Sequence, residues 1–502
     1  MFRLLSLILP FFLCQSLWFN AQIRLTQAYP TPPRSIAISI LNPAGPHFYF
    51  LRFNKLAHDI TIEKRRKSDG SVSGFVALRL DSVNASWFDY ELLDHLFFEK
   101  GGRLYFVFEK VLNSQRQLFM KEIDTLCRPG GFIELVSLKM EKRESAIELD
   151  FVLTHNKEVL VTCTRIYGST VYRDVQQIDP LTRQVKFRRK LPVENPATGY
   201  SGELCFDPGG QLYYLLVRYR SPVLLTTGLL DGSAGRDPEV DSVFMVSIDS
   251  SGKFVGQRSI PLLACDQINA AFLSPAPAGS SLNCFYTRHD TSGGHLSVAA
   301  LSFDSGLSVS EIKRYDADSG LIRRLTFYDG SEIKSAAAKR YEPFGSYTLP
   351  GNKYFFSERR SSNEYRELVW WSNDREDIRS FDLIPRKTLF LRNRVEYSTY
   401  GMPMLAANDN TVYVFLLEHP ANIDVAPSGF RFRKFRKLES EKGARLVAYV
   451  LRSGTYLAKQ NIWLNTSDRC IPLNYRGSGQ EAVFYFISGD GERFGLLPLS
   501  QQ

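Results

Sequence analysis

The stretches HFYFLRF (47–53), RLYFVFE (103–109), EVLVTCT (158–164), QLYYLLV (211–217), NCFYTRH (283–289), KYFFSER (353–359), TVYVFLL (411–417) and AVFYFIS (482–488) are one pattern written again and again. Each is a short apolar run dominated by aromatic and β-branched residues, the composition of a strand rather than a helix. Gly, Pro, Asn or Asp precedes most copies, as in Asn42-Pro-Ala-Gly-Pro46, Asp207-Pro-Gly-Gly210 and Asn408-Asp-Asn410. Working outward from each copy, a second alternating stretch follows, often ends in Asp, turns, and is answered by a third. FMVSIDSSGKFVGQRSI (244–260) is the clearest: Phe244, Val246 and Ile248 alternate, Asp249-Ser-Ser-Gly252 turns, and Phe254 opens the partner. The segments 118–138, 175–191 and 298–315 repeat this layout. Period-two alternation bounded by such turns is the hairpin signature. No window shows a helical period; the best candidate, Trp87 to Lys100, is short.

The copies start roughly 53 to 72 residues apart, above the ~40–50 of well-marked propeller repeats. Radially arranged sheets bury both faces of their inner strands, so continuous apolar runs replace strict alternation. Flat aromatic side chains fill the wedge between neighbouring sheets. Outer strands turn basic and alternating, as in Val185-Lys-Phe-Arg-Arg-Lys190.

On these residues the chain resembles β-propeller proteins in general architecture across 22–502. Trp-Asp endings, kelch glycine pairs and Asp-boxes are absent, so the resemblance carries over no functional residue. It implies an all-β fold, a single β-propeller domain of seven or eight four-stranded blades. The last aromatic strand leaves room for one more strand, Glu492 to Leu497, before the chain stops. Gln22 to Gln27 alternates suitably to supply the missing outer strand, which predicts a ring closed by its N-terminal strand.

Arg3 followed by the apolar Leu4 to Leu13 reads as a signal peptide spanning 1–21, cleaved after Ala21. The expected address is therefore exported, periplasmic or extracellular, with no transmembrane segment in the mature chain. A 44% hydrophobic and 13% aromatic composition supports a large core and excludes disorder. The formal charge of +9 is spread along the length and reads as a solvated basic surface.

Functional motifs are sparse. Trp370-Trp371 place adjacent indoles on opposite faces of a strand, one for the core and one a candidate ligand platform. Phe430 to Lys437 alternates aromatics with Arg431, Arg433 and Arg436, read as an amphipathic outer strand or an acidic-glycan contact. Nucleic acid is excluded as partner by the expected export. The acidic loop with Asp231, Asp237, Glu239 and Asp241 fits no calcium motif, and no cofactor or metal is expected. Gly199-Tyr-Ser201-Gly202 has Glu203 where a nucleophile elbow needs Gly. Cys265 and Cys284 flank one loop and form the first pair to test for a disulfide. The leading expectation is a non-catalytic propeller that binds an envelope protein or glycan through loops on one face. The alternative is a carbohydrate-active enzyme, hydrolase or lyase, with carboxylates at the central channel.

Overall fold

The structure is a computed structural model describing residues 23–499, apart from 80–94, 192–199, 220–239, 317–340, 385–403, 421–444 and several connections of one to five residues. The described architecture is all-β. Strands assemble in chain order into sheets I (35–79), II (95–139), III (146–190), IV (200–260), V (266–316), VI (341–384), VII (404–463) and VIII (469–498). Sheets I to VII are antiparallel meanders of four consecutive strands. Every recurrent aromatic stretch is the second strand of its sheet: His47–Asn54, Arg103–Leu112, Val159–Tyr167, Leu212–Tyr219, Gly279–Asp290, Asn352–Ser362, Thr411–Glu418 and Glu481–Ser488. Of the stretch Trp87 to Lys100, residues 87–94 lie outside the described residues, and His95–Lys100 is the first strand of sheet II.

In sheets I to III the second strand is largely apolar because both of its faces are covered. In sheet I, Phe48 and Phe50 lie against Val483, Tyr485, Phe494 and Leu496 of sheet VIII. The alternate residues Tyr49, Leu51 and Phe53 lie against Phe97, Phe106 and Phe108 of sheet II. The same division recurs in sheet II, whose Tyr105 and Val107 turn instead to Val159, Val161 and Cys163 of sheet III. Leu160 faces the other way, with Leu212, Tyr214 and Val246 of sheet IV. Ala482, Phe484 and Phe486 of sheet VIII meet Tyr413, Phe415 and Ala448 of sheet VII. Each buried aromatic removes roughly 150–250 Å² from water. Strands three and four are wetter: Gln184–Lys190 buries only Phe187.

Sheet VIII is assembled from both chain ends. Arg469–Ile471, Glu481–Ser488 and Gly491–Pro498 are its own; Arg24–Leu25 pairs antiparallel with the last of them, Arg24 opposite Leu496 and Leu25 opposite Gly495. The pairing continues as Thr26 N–H to Phe494 O (2.8 Å) and a reciprocal pair between Tyr29 and Glu492. Gly491 has φ +125° and lies against the Tyr29 carbonyl, a place with no room for a Cβ. On the opposite edge, Asn474–Gly477 pairs in parallel with Ser35–Asn42, the first strand of sheet I.

The turn between third and fourth strands carries the anticipated Asp. Asp124 Oδ1 accepts the amides of Leu126 (2.9 Å) and Arg128 (2.8 Å); Asp249 Oδ1 does the same for Ser251 (2.9 Å) and Lys253 (2.8 Å). Asp179 and Asp69 accept the amide two residues on. These bonds hold Cys127 (φ 61°) and Gly252 (φ 82°) in the left-handed region, which costs a non-glycine residue about 1–2 kcal/mol. The turns then seat on the outer strand of the preceding sheet. A Cβ on Gly74 of sheet I would lie 3.1 Å from Cys127 Sγ, and Gly252 abuts Phe187 of sheet III. Gly70 of sheet I meets Thr26 in the same way.

The turn aspartates also set an acid limit. The Arg128 amide holds Asp124 below its ordinary 3.8, and the Ser251 hydroxyl does so for Asp249. A depressed carboxyl contributes stability that is complete above the unfolded value and is lost as pH falls through the folded one. The melting temperature should fall as pH drops below 3.8, and Asp124→Asn with Asp249→Asn should flatten that fall. An equally steep decline in the double variant would disprove the assignment.

Candidate functional site

Meander topology gives each sheet two unlike ends. First-to-second and third-to-fourth connections share one end; second-to-third connections and the links between sheets share the other. At the first end, every connection in sheets I to VII spans at most five residues, for example 67–71, 124–128 and 249–253. At the other end depart 80–94, 220–239, 317–340, 385–403 and 419–444. Connections longer than about 12–15 residues are uncommon in compact domains and are usually either functional or linkers. All of the long ones leave the same end, hereafter the rim.

The densest chemistry is instead at the seam between sheets I and VIII. Arg52 stands where the alternation Phe48, Phe50 would place another apolar residue, and Glu63 and Arg65 share its face on the third strand, Asp59–Arg66. Arg52 Nε donates to Glu63 Oε1 (2.7 Å), and Arg65 Nε to Glu63 Oε2 (2.7 Å). Both guanidiniums reach Glu492 of sheet VIII, Arg65 Nη2 at 3.0 Å, and Tyr485 Oη donates to the same carboxylate at 3.1 Å. Glu492 is 0% exposed and Arg52 2%. Arg52 also lies 4.2 Å over the Phe50 ring, and Arg65 lies 4.7 Å over Phe494. Burial alone would lower the Arg52 pKa, but Glu63 and Glu492 outweigh it and hold it above its ordinary value. Two arginines and two glutamates balance, and the group is closed to solvent. It joins sheets; it does not receive a substrate.

A second buried carboxylate, Glu158, joins sheets II and III at the short-turn end. It accepts from Gln177 and Lys186, and Lys100 Nζ lies 3.7 Å away while donating to Asp179 at 2.8 Å.

At the rim, the connection 140–145 into sheet III folds back on itself. Glu144, buried, accepts the Glu141 amide and the Arg165 guanidinium; Arg165 Nη1 also donates to Lys139 O at 3.2 Å. Burial raises the Glu144 pKa, but the Glu141 amide and Arg165 outweigh it, so the carboxyl titrates below its ordinary value. Glu141 is left outside, its side chain 67% exposed and 4.0 Å from Arg165. This is the described place where an exposed carboxylate, a fixed cation and the rim coincide.

The residues singled out from sequence are dispersed. Trp370 and Trp371 lie in the third strand of sheet VI, Tyr365–Ser372, opposite Phe356 and Phe355. Arg431, Arg433 and Arg436 lie outside the described residues, between the second and third strands of sheet VII, whose fourth strand is Thr455–Trp463. Cys265 lies outside the described residues, and Cys284 pairs with Ala271 and Ala299 in register. Cys127, Cys163 and Cys470 are free and buried, and burial pushes the Cys163 thiol up to about 11. Asp231, Asp237 and Glu239 fall outside the described residues, whereas Asp241 is the second residue of the strand Val240–Ile248. Ser201 is within the strand Tyr200–Phe206, not at a strand-to-helix elbow. Among the described residues, no group of three or more His, Cys, Asp or Glu is placed to hold a metal ion. No helix among them is long and apolar enough to cross a membrane.

No family model matches the chain, and no curated protein does. Solved structures give distant, low-identity resemblances to β-propeller and other β-rich folds. A puromycin-hydrolysing peptidase from Mycobacterium tuberculosis is 13% identical with TM-score 0.41 over 93% of this chain; the chain spans 58% of its length. The β-propeller domain of the Trilobed protease from Pyrococcus furiosus is 8% identical with TM-score 0.35, covering 81% of this chain and 98% of that one. A polysaccharide lyase is 8% identical with TM-score 0.40, covering 80% and 90%.

The seam makes a quantitative demand. Glu492→Gln leaves two buried guanidiniums short of one counter-charge and should cost about 3–5 kcal/mol in urea unfolding. Arg128→Ala, which removes an exposed partner of Asp124, should cost under about 1 kcal/mol. Equal costs would remove the network from its structural role.

Proposed function

We propose that this chain is an exported, eight-bladed β-propeller that binds a glycan on its rim. The observation that carries the reading is the one-sided distribution of long connections. A rigid stack of sheets presenting short turns at one end and long segments at the other is the usual arrangement of a scaffold with its variable binding elements. In this reading each sheet is a blade, and residues 24–29 close the ring by completing the last blade. Support comes from the equivalence of contacts: Gly70 meets Thr26 as Cys127 meets Gly74 and Gly252 meets Phe187. The leader read at 1–21 directs the chain out of the cytoplasm, where glycans are accessible.

A second reading, a carbohydrate-active enzyme, is favoured by Glu141, whose exposed carboxylate stands beside Arg165 at that same rim. Binding without turnover and binding with turnover differ in a direct measurement. Soluble oligosaccharides incubated with the mature chain should be recovered intact if it is a binder; new reducing ends or an unsaturated, ultraviolet-absorbing product would make it a hydrolase or a lyase.

Two outcomes test the main reading. Replacing 220–239 by a short Gly-Ser link should weaken retention on immobilised envelope glycan while the melting temperature holds. Unchanged retention after this replacement and a matching one of 419–444 would remove the long segments from binding. Deleting 22–29 should lower the melting temperature of the whole cooperative transition; a local effect, with sheets I to VII melting as before, would refute ring closure.

A further inference from the structure

The second strand of sheet III leaves the core in a graded way. Val161 and Cys163 are buried against sheet II, and the next two residues on that face are Arg165 and Tyr167. Tyr172, on the third strand, stands opposite Arg165 in register and diagonal to Tyr167, so the three share one face at the rim. The tyrosine rings meet edge to face, with centroids 5.4 Å apart and planes at 89°. Tyr172 is 43% exposed. Diagonal aromatic pairs often do no more than steady a hairpin. Three features here exceed that role.

First, two perpendicular rings form a corner rather than a flat surface, and one of them, Tyr172, is exposed. Second, the polar groups around the corner are held in place from beneath. Glu144, its side chain 0% exposed, ties down Arg165 and turns the connection through the Glu141 amide. Third, that turn delivers an acceptor beside the strand's donors: Glu141 Oε2 lies 3.5 Å from the Tyr167 hydroxyl and Glu141 Oε1 4.0 Å from Arg165. An aromatic face next to a fixed carboxylate and guanidinium is the chemistry that recognises a pyranose. The C–H face of the sugar lies on the ring, and its hydroxyls donate to the carboxylate and accept from the cation.

We propose that Tyr172 and Tyr167, with Glu141 and Arg165, form a subsite for one pyranose unit of a polysaccharide at the rim of sheet III. The inference rests on the glycan-binding reading above and assigns it a place. Tyr172 supplies the stacking face and Tyr167 the wall. Glu141 accepts from vicinal hydroxyls, and Glu144 is a positioning residue that acts through Arg165. Lys142 and Arg143, exposed in the same connection, would add affinity for a uronate over a neutral sugar, so the two sugar classes are separable.

Calorimetric titration of the full mature chain with cellohexaose and with hexagalacturonate tests the assignment. At least one should bind saturably, tighter for the uronate if Lys142 and Arg143 contribute. Tyr172→Ala should weaken binding about tenfold or more, equivalent to about 1.4 kcal/mol, with an unchanged melting temperature. Tyr172→Phe should retain it, because the ring face remains. Phe254→Ala, which removes another exposed aromatic on sheet IV, should bind as the parent does. If the parent binds and Tyr172→Ala binds equally, the subsite is wrong while the rim reading stands. If the parent binds neither oligosaccharide, both fall.

Discussion

Glu492 is the residue on which the arrangement of the two chain ends depends. A four-stranded sheet with two apolar faces is stable only when both are covered, and sheets II and III find their cover in the neighbours that flank them in sequence. Sheets I and VIII each keep one face that their described neighbour in sequence does not cover. Their uncovered faces meet each other, across more than four hundred residues of chain, through Phe48, Phe50, Tyr485 and Phe494. An apolar face accepts almost any apolar neighbour. A face that carries Arg52, Glu63 and Arg65 accepts only one bringing a further carboxylate, and Glu492 is that carboxylate. Buried ion pairs contribute little net stability once desolvation is counted, but a wrong partner would leave a guanidinium buried and unpaired. The network therefore acts on specificity: it selects which two sheets meet. The backbone reinforces the choice at both edges, with Arg24–Leu25 on one side and Asn474–Gly477 on the other.

Much of this organisation was legible before any coordinates. The recurrent aromatic run reports burial on two faces, and all copies became second strands because only that position, with the third, has paired neighbours on both sides. The Asp turns were equally clear, since the side chain acts on backbone two to four residues away. Such local chemistry is written locally. Arg52 was also visible as a cation interrupting Phe48, Phe50 and Phe53, yet its meaning was not. A charge in an apolar strand announces that a partner exists; it does not say that the partner lies at position 492.

The rim is hard to read from the sequence for a related reason. The basic run with Arg431, Arg433 and Arg436 alternates like an outer strand, but Thr455–Trp463 is the outer strand of sheet VII. Alternation is a property of a few residues, whereas strand order is a property of the sheet. The wider spacings between the fourth and fifth, fifth and sixth, and last two recurrent runs did record extra chain. Only pairing shows that the extra chain always leaves from one end. Likewise, Tyr167 and Tyr172 were invisible as a pair because their meeting requires the register of Arg165 with Tyr172.

The seam and the rim use the same residue types for opposite ends, and burial separates the two uses. At the seam, every carboxylate is matched within a closed volume, so its charges are spent on holding two sheets. At the rim, Glu144 performs that service for Arg165 and is as buried as Glu492, but its neighbour Glu141 is left facing water. A buried carboxylate that fixes a cation beside an exposed carboxylate and an exposed ring costs desolvation, and here the cation reaches the neighbouring sheet only through the Lys139 carbonyl. Such a group persists where the geometry it fixes is used. The connection 140–145 is also short, so the strands of sheet III hold these side chains directly. Affinity at the rim can therefore rest on a preorganised surface, with the longer segments that leave the same end free to contribute selectivity.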